Sequence, residues 1–152
     1  GYRVAPVTID NSEWIFARAY DLAYDRDAGE EKRKIAEAYL DYMAAKVAFF
    51  EMQAGQLFDR PIRQVLLLHA NRLNADHLGS LISRLRSAGY GFIPLDAALE
   101  DPAYRSEDRY TGPAGISWIH RWALARGVDR SFFAGEPETP EFVLRLAGVE
   151  SE

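Results

Sequence analysis

Residues 65–71 read Val-Leu-Leu-Leu-His-Ala-Asn, four apolar side chains in succession that end on a histidine, His69. A short unbroken run of this kind, bounded by Arg63-Gln64 before and Asn71-Arg72 after, predicts a strand buried on both faces. Such strands belong to parallel sheets. In open α/β sheets and (β/α) barrels the working groups sit just past the carboxyl ends of the strands, where the loops diverge and leave a crevice. His69 takes that place. Two readings stay open at this point: a working imidazole, or a histidine that satisfies a backbone group at a strand end.

The flanking sequence sets the architecture expected around it. Residues 2–9 are rich in strand formers, although Pro6 cannot donate to a ladder and pushes the segment toward an edge or a strand start. Asp10-Asn11-Ser12 then supplies helix-starting residues, and Asp10 with Glu13 has the spacing of a capping box. A short helix through Trp14 and Phe16 follows. After the polar break at 25–29, Glu30 to about Leu57 is an amphipathic helix, with Ile35, Tyr39, Tyr42, Met43, Val47 and Phe50 at spacings of three and four. Beyond His69, Asn74 reads as the N-cap of a helix closed by Gly89, residues 90–95 as a second apolar strand, Asp96 as a cap, and 97–100 as one helical turn. Residues 101–115 look irregular. A helix capped by Ser117 and stopped by Gly127 carries Trp118 and Trp122 one turn apart, and a last helix starts at Thr139-Pro140-Glu141 and stops at Gly148. Strand, helix, strand, helix predicts α/β architecture with a parallel sheet, in one domain over residues 1–152.

Composition narrows the function. Eighteen Lys and Arg against 23 Asp and Glu give a net charge of −5, which argues against a nonspecific grip on nucleic acid or anionic lipid. There is no cysteine, so disulfides, thiolate metal sites and a cysteine nucleophile are excluded. No apolar run reaches the roughly 20 residues a membrane-spanning helix needs. The chain opens without methionine and passes at once into strand-like sequence, the pattern expected of a fragment entered partway through a domain.

In a parallel sheet Asp10, Glu13 and Trp14, following one strand, and His69, ending another, face the same rim. A carboxylate beside an imidazole fixes its tautomer and favours the protonated ring, the state a general acid needs. Helix capping is the commoner role for residues placed as Asp10 and Glu13 are, and on these positions alone it is the favoured reading. His69, His77 and His120 show none of the i, i+3 or i, i+4 pairings that place two metal ligands on one helix face. Gly-rich phosphate loops and the Gly-Xaa-Ser-Xaa-Gly elbow are also missing.

Asp10-Asn11-Ser12-Glu13-Trp14 and Leu67-Leu68-His69 resemble the fourth and fifth of five ordered motifs of the polysaccharide deacetylases, the nodulation-protein-B-like carbohydrate esterases. The runs around Leu-Asn-Ala-Asp-His-Leu and Gly-Pro-Ala-Gly-Ile-Ser-Trp-Ile-His-Arg-Trp extend the similarity to about the whole chain. The resemblance implies a (β/α) barrel of which this chain is the C-terminal portion, and metal-dependent removal of N-acetyl or O-acetyl groups from a polysaccharide or oligosaccharide. It makes His69 the general acid that protonates the leaving amine, Glu13 the carboxylate that orients it, and Trp14 a wall of the substrate groove. Leu67 would line the pocket near the acetyl methyl, and Asp10 would shape the loop. Glu13 departs from the family, which has aspartate at that position. The first three motifs, which carry the base and the ligands of a divalent metal, zinc foremost, have no counterpart; they would lie before Gly1, leaving the isolated chain inactive. A cell-envelope or extracellular location is implied by resemblance alone. The competing class is a non-catalytic carbohydrate-binding or protein-interaction domain in which His69 is structural.

Overall fold

Helices, rather than a sheet, carry this chain. The computed structural model describes residue 1 and residues 4–152, so the first two residues of the strand expected over 2–9 lie outside the described residues. The α-helices are α1 (Glu13–Asp25), α2 (Gly29–Phe58), α3 (Arg72–Ser87), α4 (Leu95–Leu99), α5 (Trp118–Arg126) and α6 (Glu141–Ala147), with 3-10 turns at Pro102–Arg105 and Arg130–Phe133. No helix among the described residues is long and apolar enough to cross a membrane.

The expected α/β fold and partial (β/α) barrel are therefore corrected. Among the described residues the only β pairing is an isolated parallel bridge between Ile9 and Leu66. The direction anticipated for the two segments is present, but no ladder grows from it. Side chains take the amides a neighbouring strand would have used. Arg63 N–H donates to Asp101 Oδ2 at 3.1 Å, Val65 N–H to Thr8 Oγ1 at 2.7 Å, and His69 N–H to Glu13 Oε1 at 2.8 Å. Residues 65–68 are half-buried instead of covered on both faces, and residues 90–94 form no strand. An apolar run of four to eight residues fits a buried strand by pattern, but pattern alone does not supply the partner that makes it one.

The chain divides into two units that share α2, the first holding residues 1–10, 46–67 and 92–136, the second residues 11–45, 68–91 and 137–152. In the first, Trp122 of α5 is fully buried, with the rings of Phe58, Tyr104 and Trp118 tilted or edge-on to it at centroid separations of 5.7, 5.6 and 6.1 Å. Ser117 caps α5 by accepting from Ile119 N–H, and Gly127 stops it with φ +67°. Asp101 ties the 59–63 turn to the turn that follows α4. It takes both Arg60 guanidinium nitrogens (2.6 and 3.1 Å) and the N–H groups of Arg63 and Ala103. The Arg60 hydrogen bonds, with the two backbone donors, outweigh burial and hold its carboxyl at about 2.

The second unit is α1 packed on α3 and α6, with the first part of α2. Its core is the apolar stripe of α1 (Ile15, Phe16, Ala19, Ala23) set against Ile35, Tyr39, Tyr42 and Met43 of α2, together with Leu73, Leu81, Leu85 and Val143. Phe16 lies 4.8 Å from the Tyr42 ring and 6.1 Å from the Tyr39 ring. Four expected caps move, that of α4 from Asp96 to Pro94. The N-cap of α1 is Ser12, which makes no side-chain cap bond. Asn71 caps α3, three residues ahead of the anticipated Asn74. Pro140, in place of Thr139, precedes α6.

Candidate functional site

Within the second unit, α1 begins on Glu13 and α3 begins just after Asn71, and the two helix starts converge on His69. Glu13 is fully buried. Its Oε1 accepts from His69 backbone N–H at 2.8 Å and lies 2.6 Å from His69 Nδ1, while Oε2 accepts from Asn71 Nδ2 at 2.9 Å. A buried carboxylate without partners is costly. Here each oxygen is met by a donor, and the carboxylate sits in the first turn of α1, where the helix dipole favours negative charge. Asn11 Oδ1 accepts Glu13 N–H at 3.1 Å and fixes the turn that delivers it.

These contacts set the imidazole tautomer. An ionised carboxylate only accepts, so Nδ1 carries the proton that faces Oε1. Nε2 has no partner among the described residues, and the His69 side chain is 53% exposed. Nε2 is thus the atom left to give or take a proton.

A second layer of polar contacts holds the ring in place. Asn71 Oδ1 accepts Asn74 N–H at 2.9 Å, which caps α3. Asn74 Nδ2 donates to His69 C=O at 2.8 Å, and its Oδ1 accepts from Tyr39 O–H at 2.5 Å. Burial, then the negative charge of Glu13, pushes the Tyr39 hydroxyl well above its ordinary value, so it remains a donor. Sequence reasoning missed Asn71, Asn74 and Tyr39 as supports. The available signal was the three-residue spacing of Asn71 and Asn74, which is that of an N-cap and the amide it accepts.

His69 stands between two open clefts. One, of about 480 Å³, is lined by Trp14, Arg18, Asp21 and Leu22 of α1; the other, of about 550 Å³, by Leu68, Ala70, Ala75 and Leu78. Trp14 is 49% exposed. Arg18 Nε donates to Ala147 C=O at 2.5 Å, which anchors its stem on α6.

Of the residues named from sequence, the structure brings Glu13, Trp14 and His69 together. Asp10 and Leu67 belong to the first unit, where Leu67 N–H donates to Ile9 C=O at 3.3 Å and Asp10 is half-buried. The capping box expected of Asp10 and Glu13 is not formed, because the Glu13 carboxylate is committed to His69 and Asn71. His77 packs edge-on against Tyr20 at 5.5 Å. His120 is buried among Phe49, Phe50, Phe132 and Phe133, with Nε2 2.7 Å from Gln53 Oε1. Burial holds its pKa down, against the pull of Glu136.

The divalent metal implied by resemblance does not fit these residues. Among the described residues no three His, Asp or Glu side chains form a ligand group. Both Glu13 oxygens already accept protein donors, which leaves Nε2 as the one ligating atom the dyad has free. No family model, curated protein or solved structure matches the chain.

Proposed function

We propose that His69 is the proton donor of a hydrolase that removes acetyl groups, N-linked or O-linked, from a polysaccharide, and that Glu13 is its positioning residue. The observation that carries this is the buried Glu13 carboxylate on Nδ1 of a half-exposed histidine that lines an open cleft. When an amide C–N bond breaks, the departing nitrogen needs a proton. A protonated imidazole supplies it through Nε2, and a carboxylate on Nδ1 stabilises the imidazolium until the transfer. Trp14, exposed beside His69, offers an aromatic face to a sugar ring.

His69, Glu13 and Trp14 alone carry the proposed roles here. The local dyad is what supports the chemistry, and it does so without a barrel. Among the described residues no three His, Asp or Glu side chains form a metal-ligand group, so the reading is confined to the acid side of the reaction. The test is acetate release from acetylated chito-oligosaccharides and acetyl-xylan. It uses the protein expressed with any coding sequence that precedes Gly1, with and without a chelator. His69→Ala is expected to lower kcat by about 10²–10⁴-fold, the usual share of a general acid. A His69→Ala variant with wild-type kcat would refute the role.

A further inference from the structure

The two clefts that meet at His69 differ in chemistry. On the α1 side the walls are an exposed indole, a guanidinium and a carboxylate from Trp14, Arg18 and Asp21, groups that can stack on a sugar and hydrogen-bond its hydroxyls. On the α3 side the walls are aliphatic: Leu68 and Ala70 from the segment around His69, and Ala75 and Leu78 from one turn of α3. Ala75 is exposed and Leu78 is 39% exposed, so both are open to a ligand.

The polar residues bordering the aliphatic cleft are already engaged. Asn71 and Asn74 are bound to Glu13, to His69 C=O, to Tyr39 and to each other. Arg72 is drawn toward α1, with Nη1 3.1 Å from Asp21 Oδ1 and its guanidinium 4.0 Å from the Tyr24 ring centroid. A sugar ring laid in this cleft would face few partners for its hydroxyls, each a loss on leaving water. A methylene chain needs none. The cleft follows the first two turns of α3, about 10 Å from Asn71 to Leu78 at the helical rise, which is room for several methylenes.

We propose that the aliphatic cleft binds the acyl chain of the substrate, so that the acyl groups accepted on a saccharide extend from acetyl to longer aliphatic chains. This deepens, and rests on, the acyl-hydrolase reading above. Hydrolysis adds water across the acyl C–N or C–O bond. The hydroxyl joins the acyl carbon to give the carboxylic acid, and the amine or alcohol leaves with the proton delivered by His69 Nε2.

Binding tests the cleft without requiring turnover. The 152-residue chain is titrated with N-acetyl-, N-butanoyl- and N-hexanoylglucosamine and followed by amide NMR. Full burial of a methylene tightens binding about fourfold, and half burial in an open cleft about twofold, so the hexanoyl derivative, four carbons longer, is expected to bind about fifteenfold tighter than the acetyl. Its shift changes should centre on Ala70, Ala75 and Leu78. Ala75→Phe, which fills the cleft from an exposed position, should remove the dependence on chain length. Equal affinity for all three ligands, no binding of the hexanoyl derivative, or length dependence that survives Ala75→Phe overturns the proposal. If length-dependent binding holds but His69→Ala leaves hydrolysis intact, the acyl cleft stands and the acid role of His69 fails.

Discussion

Replacing Glu13 with glutamine changes one oxygen into an NH2 group at a site built only of donors. The amide oxygen has to face His69, because the backbone N–H at 2.8 Å and Nδ1–H at 2.6 Å both need an acceptor. The new NH2 then faces Asn71 Nδ2, formerly 2.9 Å from a carboxylate oxygen. Asn71 cannot invert its amide to relieve the clash, since its Oδ1 is the N-cap acceptor of α3. Two donors meet in a buried place, a cost of about 1–3 kcal/mol, and charge-assisted bonds become neutral ones; removal of a buried charge offsets part of this, leaving about 2 kcal/mol. In urea unfolding followed by far-UV circular dichroism, that corresponds to a midpoint lower by about 1 M at unchanged slope. Asn71→Asp alone turns a carboxylate oxygen toward Glu13 and should also destabilise. Together the two changes restore a donor opposite an acceptor: the introduced aspartate keeps one oxygen on Asn74 N–H and offers the other to the NH2 of the introduced glutamine. The double variant should therefore recover at least about 1 kcal/mol relative to the sum of the singles. A Glu13→Gln variant within about 0.5 kcal/mol of wild type, or a double variant that is merely additive, would refute the donor-only description of this pocket.

Further expectations follow from the same contacts. Asp101 has a folded pKa of about 2 against an ordinary 3.8, so its stabilisation is complete above the ordinary value and is lost as pH falls from there toward 2; the shift corresponds to about 2 kcal/mol. Acid unfolding of Asp101→Asn should lack that pH-dependent step. At the alkaline end the sign reverses. Burial and then Asp76 push the Tyr20 hydroxyl from 10.0 to about 12, so stability should decline as pH rises above 10, and Tyr20→Phe should reduce that slope. Tyr39→Phe strands Asn74 Oδ1 and should cost about 1–2 kcal/mol by denaturant titration; an unchanged midpoint would mean that this bond contributes nothing.

Helix content was legible where side-chain period and local caps agree. The stripe from Ile35 to Phe50 gave α2 to within a residue at each end, and Ser117 with Gly127 bounded α5, because apolar spacing and termini are local properties. The sheet was not legible, since a strand exists only through its neighbours. Residues 65–68 look like a buried strand until it emerges that side chains of Asp101, Thr8 and Glu13 take the amides of Arg63, Val65 and His69 in and beside the segment. The same effect displaced a cap. Asn71 and Asn74 are equally good N-cap residues by type, and Asn74 is drawn inward by Tyr39 and His69 C=O, long-range partners that local pattern does not reveal. Glu13 beside His69 was anticipated, but from strand ends sharing a rim. The contact exists for another reason, the convergence of two helix starts.

That difference bears on how rigidly His69 is held. A histidine at the end of a strand takes its position from the sheet behind it. Here its position comes from three contacts supplied by two helices: the backbone N–H and Nδ1 on Glu13 Oε1, and the backbone carbonyl on Asn74. Backbone and ring are pinned from α1 and the carbonyl from α3, so a rotation that frees Nδ1 removes one of the two donors on Glu13 Oε1 and leaves that oxygen only the backbone N–H. The loss of a hydrogen bond to a buried carboxylate, about 1.5–3 kcal/mol, exceeds the cost of holding one imidazole rotamer. The ring is therefore preorganised before any ligand arrives, with Nε2 left without a partner among the described residues. A histidine kept only to satisfy a strand end would need the backbone contacts alone; the additional bond from Nδ1 to a buried carboxylate orients the ring itself.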